Sequence, residues 1–150
     1  MKKIKVLFVV SGNSRDFSVA PFIRRQGESI RKDAFQVDFF KVKGKGISGY
    51  LSNVRRLRKT IKEGDYDIVH AHYTFNALLT LLTFTRIPLV TSYMGSDTYG
   101  EYDERGRLQP SSIINILISQ FIQPFTKKII VKSPNLYKYI FLKYKVHLIP

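Results

Sequence analysis

Ile4-Lys5-Val6-Leu7-Phe8-Val9-Val10 is an almost continuously apolar run, rich in β-branched residues, near the start of the chain. A strand that is apolar on both sides is typical of a parallel sheet whose two faces are both covered. Such a strand needs helices above and below it, so the run predicts an α/β protein. Lys5 interrupts the run, and no small-residue cleavage site follows it before the charged residues 15–16. These features favour a first strand over a signal peptide.

The rest of the chain alternates between helix-like and strand-like segments. Residues 18–30 carry apolar side chains at three- and four-residue spacing and predict the first helix. Further strands are predicted over 36–42, 68–72, 89–94, 127–132 and 145–149, and further helices over 47–61, 75–84, 111–123 and 134–142, with a long polar loop over 95–110. This order predicts a Rossmann-like, doubly wound, mainly parallel sheet of about six strands with helices on both faces.

Composition limits the class of protein and its partners. The 150 residues fit one domain of ordinary size. The chain has 25 Lys and Arg against 11 Asp and Glu, a formal charge of +14, which favours nucleic acid, an anionic membrane or a phosphorylated ligand without choosing among them. It contains no cysteine, which excludes disulfides and thiolate metal sites and is compatible with the cytoplasm, where we expect the protein. No apolar run approaches the roughly 18 residues of a membrane-spanning helix.

Gly12 follows the first strand, at the edge of the sheet where doubly wound proteins bind their ligands. A glycine there lets backbone amides approach an anion at the start of a helix. The dinucleotide fingerprint would need glycines at 12, 14 and 17, and the chain has Ser14 and Phe17, which disfavours a nicotinamide dehydrogenase. Gly12 either contacts a ligand or only permits a tight turn.

Two histidines alternate in the third predicted strand. His70 and His72 lie on one face of it, because side chains two residues apart in a strand point the same way. Two imidazoles need further ligands to hold a metal, and none is obvious nearby, so we expect no metal site. We expect one histidine to satisfy internal hydrogen bonds and His72, nearer the strand's end, to face the cleft as a substrate-binding residue.

Gly95, Ser96 and Asp97 follow the fourth predicted strand. The glycine permits a close backbone approach, and the hydroxyl and carboxylate can hydrogen-bond a polyol. The alternative is a capped turn in which Asp97 bonds its own backbone. The position at the ligand-binding edge favours a substrate role for all three residues.

Two predicted helices have unusual surfaces. The helix over 47–61 carries a basic face that includes Arg55, Arg56 and Lys59, which either docks on anionic lipid or is an ordinary solvated face. The helix over 111–123 is apolar on more than one side, which indicates deep burial or contact with lipid or a second domain.

The ordered set of these segments resembles the amino-terminal domain of glycosyltransferase family 4, a group of retaining, metal-independent enzymes of the GT-B fold. The resemblance covers the whole chain. It is carried by residues 5–9, 22–26 with 29–30, 66–73, 88–97, 129–133 and 146–150.

The resemblance implies that residues 1–150 are the acceptor-side domain and that the carboxyl-terminal donor domain is absent from this chain. The isolated chain would then be inactive, whereas the full-length enzyme would transfer a sugar from a nucleotide sugar to a saccharide or lipid-linked acceptor in surface polysaccharide synthesis. No cofactor is expected beyond that donor substrate. The alternative is a non-catalytic basic module that binds anionic membrane or nucleic acid. Of these two partners, we do not expect nucleic acid. Family members commonly carry a histidine near the reaction centre where this chain has Met94, so the catalytic residues are unknown.

Overall fold

A single parallel sheet of six strands organises the chain in the computed structural model, which describes residues 3–13, 18–31, 34–44 and 46–149. The strands are β1 (Ile4–Ser11), β2 (Phe35–Val42), β3 (Ile68–His72), β4 (Leu89–Tyr93), β5 (Lys128–Val131) and β6 (Val146–Leu148). The helices are α1 (Pro21–Ile30), α2 (Gly46–Leu51), α3 (Asn53–Gly64), α4 (Thr74–Leu81), α5 (Ser96–Tyr99), α6 (Pro110–Ile122) and α7 (Pro134–Tyr137), with 3-10 turns at Gln123–Phe125 and Lys143–Lys145.

The strands run in the order β2-β1-β3-β4-β5-β6, and every pairing is parallel. The predicted Rossmann-like α/β fold is therefore confirmed. From β1 the chain first moves one way to β2 and then crosses back over β1 to β3, so the direction of winding reverses between β1 and β3. Such a reversal opens a crevice at the carboxyl ends of the two strands.

Alternate side chains of β1 enter two separate cores. Leu7 and Val9 join the larger core, to which α3, α4, α6 and α7 all contribute buried side chains. Val6, Phe8 and Val10 join the smaller core, where Ile23 of α1 packs against them. The apolar run that predicted a strand covered on both faces thus packs as expected. Of the described helices, α1 alone contributes a buried side chain to the smaller core.

Two predicted segments differ in detail. The helix predicted over 47–61 is two helices, α2 and α3, which meet at Ser52. The loop predicted over 95–110 contains the short helix α5 and an antiparallel bridge between Tyr102 and Leu108. No helix in the described part of the chain is long and apolar enough to cross a membrane.

Candidate functional site

The residues that directly follow β1, β3 and β4 at the carboxyl edge of the sheet are Gly12, Tyr73 and Met94. Because all the strands are parallel, these residues lie on one side of the molecule, around the point where the winding reverses.

The turn after β4 is built around a buried carboxylate. Asp97 is 0% exposed, and its Oδ1 accepts hydrogen bonds from the backbone N–H of Met94 at 3.0 Å and of Gly95 at 2.9 Å. Its Oδ2 accepts from the backbone N–H and the hydroxyl of Thr74, both at 3.1 Å. Burial raises the pKa of the Asp97 carboxyl, and the hydrogen bonds it accepts lower it by a smaller amount. One side chain thus joins the β4 turn to the start of α4.

Gly95 allows this turn to form. Its φ of 127° lies in a region that side chains disfavour, and a Cβ there would meet the hydroxyl oxygen of Tyr99 at 2.9 Å. Its carbonyl oxygen accepts from the N–H groups of Thr98 and Tyr99 as α5 begins. Gly95 is buried, whereas Met94 and Ser96 on either side of it are half-buried. Of the three predicted residues here, Ser96 is the one whose side chain reaches the surface.

Asp97 organises a capped turn, which was the predicted alternative to a substrate role. Its four hydrogen bonds occupy both oxygens, and no part of it is exposed to a ligand. The carboxylate positions its neighbours, and its direct contact with a sugar stays a prediction.

Tyr73 is a candidate site residue that the sequence analysis did not single out. It directly follows β3 with φ 84° and ψ 147°, a conformation that is rare for any residue except glycine. Backbone strain of this kind clusters at functional sites and costs about 1–3 kcal/mol. The only signal in the sequence was its place directly after the third predicted strand, because nothing in a tyrosine's identity announces a positive φ.

Two neutral polar side chains hydrogen-bond the Tyr73 hydroxyl. The Asn115 side-chain amide donates to it at 3.4 Å. Burial raises the pKa of Tyr73, the negative charge of Asp97 raises it further, and a hydrogen bond from the Ser96 side chain lowers it. The ring stacks on Phe75, with 6.3 Å between centroids. Tyr73, Ser96 and Asn115 therefore form one cluster at the carboxyl edge, which we call the edge cluster.

His70 and His72 lie on the same face of β3, as predicted, but both point into the protein. Their rings stack with centroids 4.3 Å apart, and both contact Phe8 of the smaller core. His70 Nε2 shares a hydrogen bond with the Ser92 hydroxyl at 2.8 Å, which meets the expectation that one histidine is satisfied internally. His72 is 1% exposed, so it does not face the cleft, and its contact with a substrate stays a prediction.

Burial changes the protonation of both histidines. It lowers the pKa of His70 to about 4 and that of His72 to about 2, and the Lys132 ammonium contributes to both shifts. Neither ring nitrogen of His72 has a hydrogen-bond partner among the described residues. The described residues also hold no group of three His, Cys, Asp or Glu side chains that could bind a metal ion.

Gly12 is buried where β1 ends against β2. Its N–H donates to the Val42 carbonyl at 2.8 Å, and a Cβ would meet the Cβ of Lys41 at 2.8 Å. This close approach explains the glycine without a ligand. Residues 14 and 17, whose side chains argued against a dinucleotide site, lie outside the described residues. The predicted ligand contact of Gly12 stays a prediction.

A family model for glycosyltransferase family 4 matches residues 6–150. The chain belongs to this family. No curated protein matches the chain by sequence. Among solved structures, a sucrose-phosphate synthase from Thermosynechococcus elongatus aligns with a TM-score of 0.67 at 13% identity, over 99% of this chain and 48% of that protein. A UDP-N-acetylglucosamine 2-epimerase from Rickettsia bellii aligns with a TM-score of 0.56 at 13% identity, over 96% of this chain and 44% of that protein.

These structural matches confirm the Rossmann-like fold of the glycosyltransferase domain. The chain spans less than half the length of either solved protein, so a second domain is a feature of those proteins and a proposal for this one.

The basic face of the glycosyltransferase domain lies on α3, where Arg55 and Lys59 are exposed. The Arg56 side chain is held by contacts within the protein. Its guanidinium donates to the Lys41 carbonyl at 2.7 Å and to Asn53 Oδ1 at 2.6 Å, and it lies over the Phe40 ring. Lys59 pairs with Glu63 at 3.8 Å on the same helix. The predicted docking of Arg55, Arg56 and Lys59 on anionic membrane stays a prediction.

Proposed function

We propose that this chain is the acceptor-side domain of a transferase that moves a sugar from a nucleotide sugar to a saccharide or lipid-linked acceptor, with retention of anomeric configuration, in surface polysaccharide synthesis. The family match supports transfer of a sugar. The coverage of 48% and 44% of the two solved proteins supports a second, donor-side domain in the complete enzyme. The donor phosphates and their charge would be held by that second domain.

The observation that carries this proposal is the edge cluster beside the Asp97-braced turn. Tyr73 and Ser96 offer hydroxyls and Asn115 offers an amide, and all three are neutral groups that both donate and accept. Sugar hydroxyls have the same dual character, so a cluster of this kind suits a polyol better than an anion. The Tyr73–Phe75 ring pair adds an apolar wall against which a sugar ring can pack.

The domain would act by positioning. A bound acceptor hydroxyl held at a fixed place and angle converts an encounter between two substrates into a reaction within one complex, which lowers the barrier substantially. Asp97 joins the β4 turn to the start of α4 and so supports the cluster. Met94 supplies neither a proton donor nor a comparable acceptor, so no acid–base role is proposed for that position.

The test is transfer of a labelled sugar by the full-length protein, first with a panel of nucleotide sugars and then with variants. Tyr73→Phe and Ser96→Ala each remove one hydroxyl from the edge cluster and are expected to raise the acceptor KM by about fivefold to tenfold, the value of one hydrogen bond to a neutral group. Ser29→Ala is the matched control, because it removes an exposed hydroxyl near the end of α1, outside the edge cluster.

Two outcomes oppose the proposal separately. The absence of transfer from every nucleotide sugar would reject the activity itself. Transfer with an unchanged acceptor KM in both edge-cluster variants would keep the activity and reject the site. The isolated 150-residue chain is expected to transfer nothing, because the proposed donor domain is missing from it.

A further inference from the structure

α6 exposes most of its large apolar residues and buries Ile122 together with two small polar residues. Ser112 and Ser119 are buried, and their hydroxyls are used internally, Ser112 accepting from the Glu101 N–H and Ser119 donating to the Ile116 carbonyl. Large side chains point outward at four-residue spacing and form what we call the apolar stripe: Ile113, Leu117, Phe121 and Phe125, each between 48% and 63% exposed.

This arrangement excludes one of the two interpretations of the apolar helix. The sequence indicated either deep burial or contact with lipid or another domain, and the structure leaves the outer face of α6 uncovered by the described residues. The 13 residues of α6 include no charged side chain. Soluble proteins rarely expose a contiguous apolar surface of this kind unless it contacts a partner or a membrane.

The apolar stripe continues into a basic cleft. Phe121 contacts Phe125 with 5.4 Å between ring centroids, and Phe125 lines an open cleft of about 650 Å³ at the amino ends of β4 and β5. Arg86, Lys127 and Lys128 line the same cleft, which we call the basic cleft, together with the exposed ring of Tyr144. No carboxylate lines it in the described part of the chain.

We propose that the apolar stripe and the basic cleft together dock this domain side-on against a lipid bilayer that contains anionic phospholipids. The stripe would enter the boundary between headgroups and acyl chains, and the cleft would hold phosphate groups at headgroup level. The exposed Tyr144 ring suits the same interfacial depth. This surface is separate from the basic face of α3, and its docking does not depend on the proposed transferase activity.

The charge of the chain argues against a second copy of it as the partner that covers the apolar stripe. A twofold dimer through the stripe would bring like surfaces together and place the basic clefts of two strongly basic chains close to each other. An anionic bilayer meets both features, because it removes the apolar side chains from water and neutralises the cations. Asn115 of α6 belongs to the edge cluster, so side-on docking through α6 also brings the candidate site near the bilayer surface.

The test is co-sedimentation of the purified full-length protein, in which any second domain is present, with vesicles of phosphatidylcholine alone and with vesicles in which phosphatidylglycerol is about a third of the lipid. Leu117→Gln with Phe121→Gln removes the stripe and is expected to weaken binding to anionic vesicles by more than about tenfold. Lys127→Gln with Lys128→Gln removes two cations from the cleft and is expected to weaken binding to anionic vesicles by about 25-fold, at roughly fivefold for each cation.

The control variants change the same chemistry elsewhere. Arg24→Gln with Arg25→Gln removes two exposed charges from α1, and Phe84→Asn removes an apolar side chain that is 80% exposed outside the stripe. Both controls are expected to bind as the parent protein does. Circular dichroism and thermal unfolding confirm that each variant is folded, which is expected because all the substituted side chains lie on the surface.

Four results would overturn the inference. They are equal binding to neutral and anionic vesicles, stripe variants that bind normally, an equal loss in the α1 control, and a parent protein that sediments as a dimer while the stripe variant is monomeric. Tighter binding to single-stranded nucleic acid than to anionic vesicles, with the same dependence on stripe and cleft, would likewise replace the bilayer as the partner.

Discussion

Mild acid is expected to destabilise this domain through its two buried histidines. Unfolded histidine has a pKa of 6.5, and burial lowers that of His70 to about 4 and that of His72 to about 2. Between these values the unfolded chain binds more protons than the folded chain, so the free energy of unfolding falls as the pH falls below 6.5. Each histidine contributes about 1.4 kcal/mol for each pH unit in that range. From about pH 7.5 to about pH 5 the two together are expected to cost about 4 kcal/mol.

The measurement is urea unfolding followed by circular dichroism at both pH values. This window lies above the range in which most carboxylates titrate, so the histidines dominate it. His72→Leu is expected to reduce the pH-dependent loss to about 2 kcal/mol. At about pH 7.5 the same substitution is expected to cost little, because the His72 ring nitrogens have no hydrogen-bond partner in the described residues. His147→Leu is the control, since His147 is exposed.

The histidine argument would be refuted by a pH-dependent loss below about 1 kcal/mol, or by a loss that His72→Leu leaves unchanged. Either result would mean that the rings are solvated or paired in solution, so that burial does not hold them neutral. If His147→Leu abolished the pH-dependent loss of stability, the proton uptake would belong to His147 and not to the two buried histidines.

Two further substitutions test the hydrogen bonds that hold the loops. Asp97→Asn is expected to lower the free energy of unfolding, measured in urea, by about 2–4 kcal/mol, because an amide nitrogen would face groups that donate to the carboxylate. The control Asp103→Asn, in an exposed turn, is expected to lower it by less than about 1 kcal/mol. Equal effects of the two substitutions would argue against the structural role of Asp97. Lys145→Met removes an ammonium that donates to three backbone carbonyls at the end of the 3-10 turn after α6. It is expected to cost about 1–3 kcal/mol in the same assay, against almost nothing for the exposed Lys138→Met, and a stable Lys145→Met would show that water replaces the ammonium.

Local periodicity predicted most of the fold. The strands predicted over 36–42 and 68–72 match β2 and β3 to within a residue, because short segments rich in β-branched and aromatic residues favour a strand whatever their neighbours are. The prediction missed the short elements. Ser52 separates α2 from α3, and α5 forms within a segment predicted as loop, since capping and close packing decide such short elements.

The candidate site was predicted less well than the fold. Position after β4 drew attention to residues 95–97, but a carboxylate that braces a turn and one that binds a sugar look the same in sequence. Asp97 is committed to the brace by Thr74, which comes 23 residues earlier in the chain. Tyr73 was missed because its positive φ arises from the connection between β3 and α4 and leaves no mark in residue type.

The sequence by itself determined the parallel α/β architecture, the family and the chemistry available at the strand ends, because these follow from residue type and spacing along the chain. The tertiary structure decided what those residues face. It turned His72 against Phe8, enclosed Asp97 and left the apolar side of α6 outside. The physical reason is that periodicity fixes which side chains share a face, whereas the covering of that face depends on elements distant in sequence.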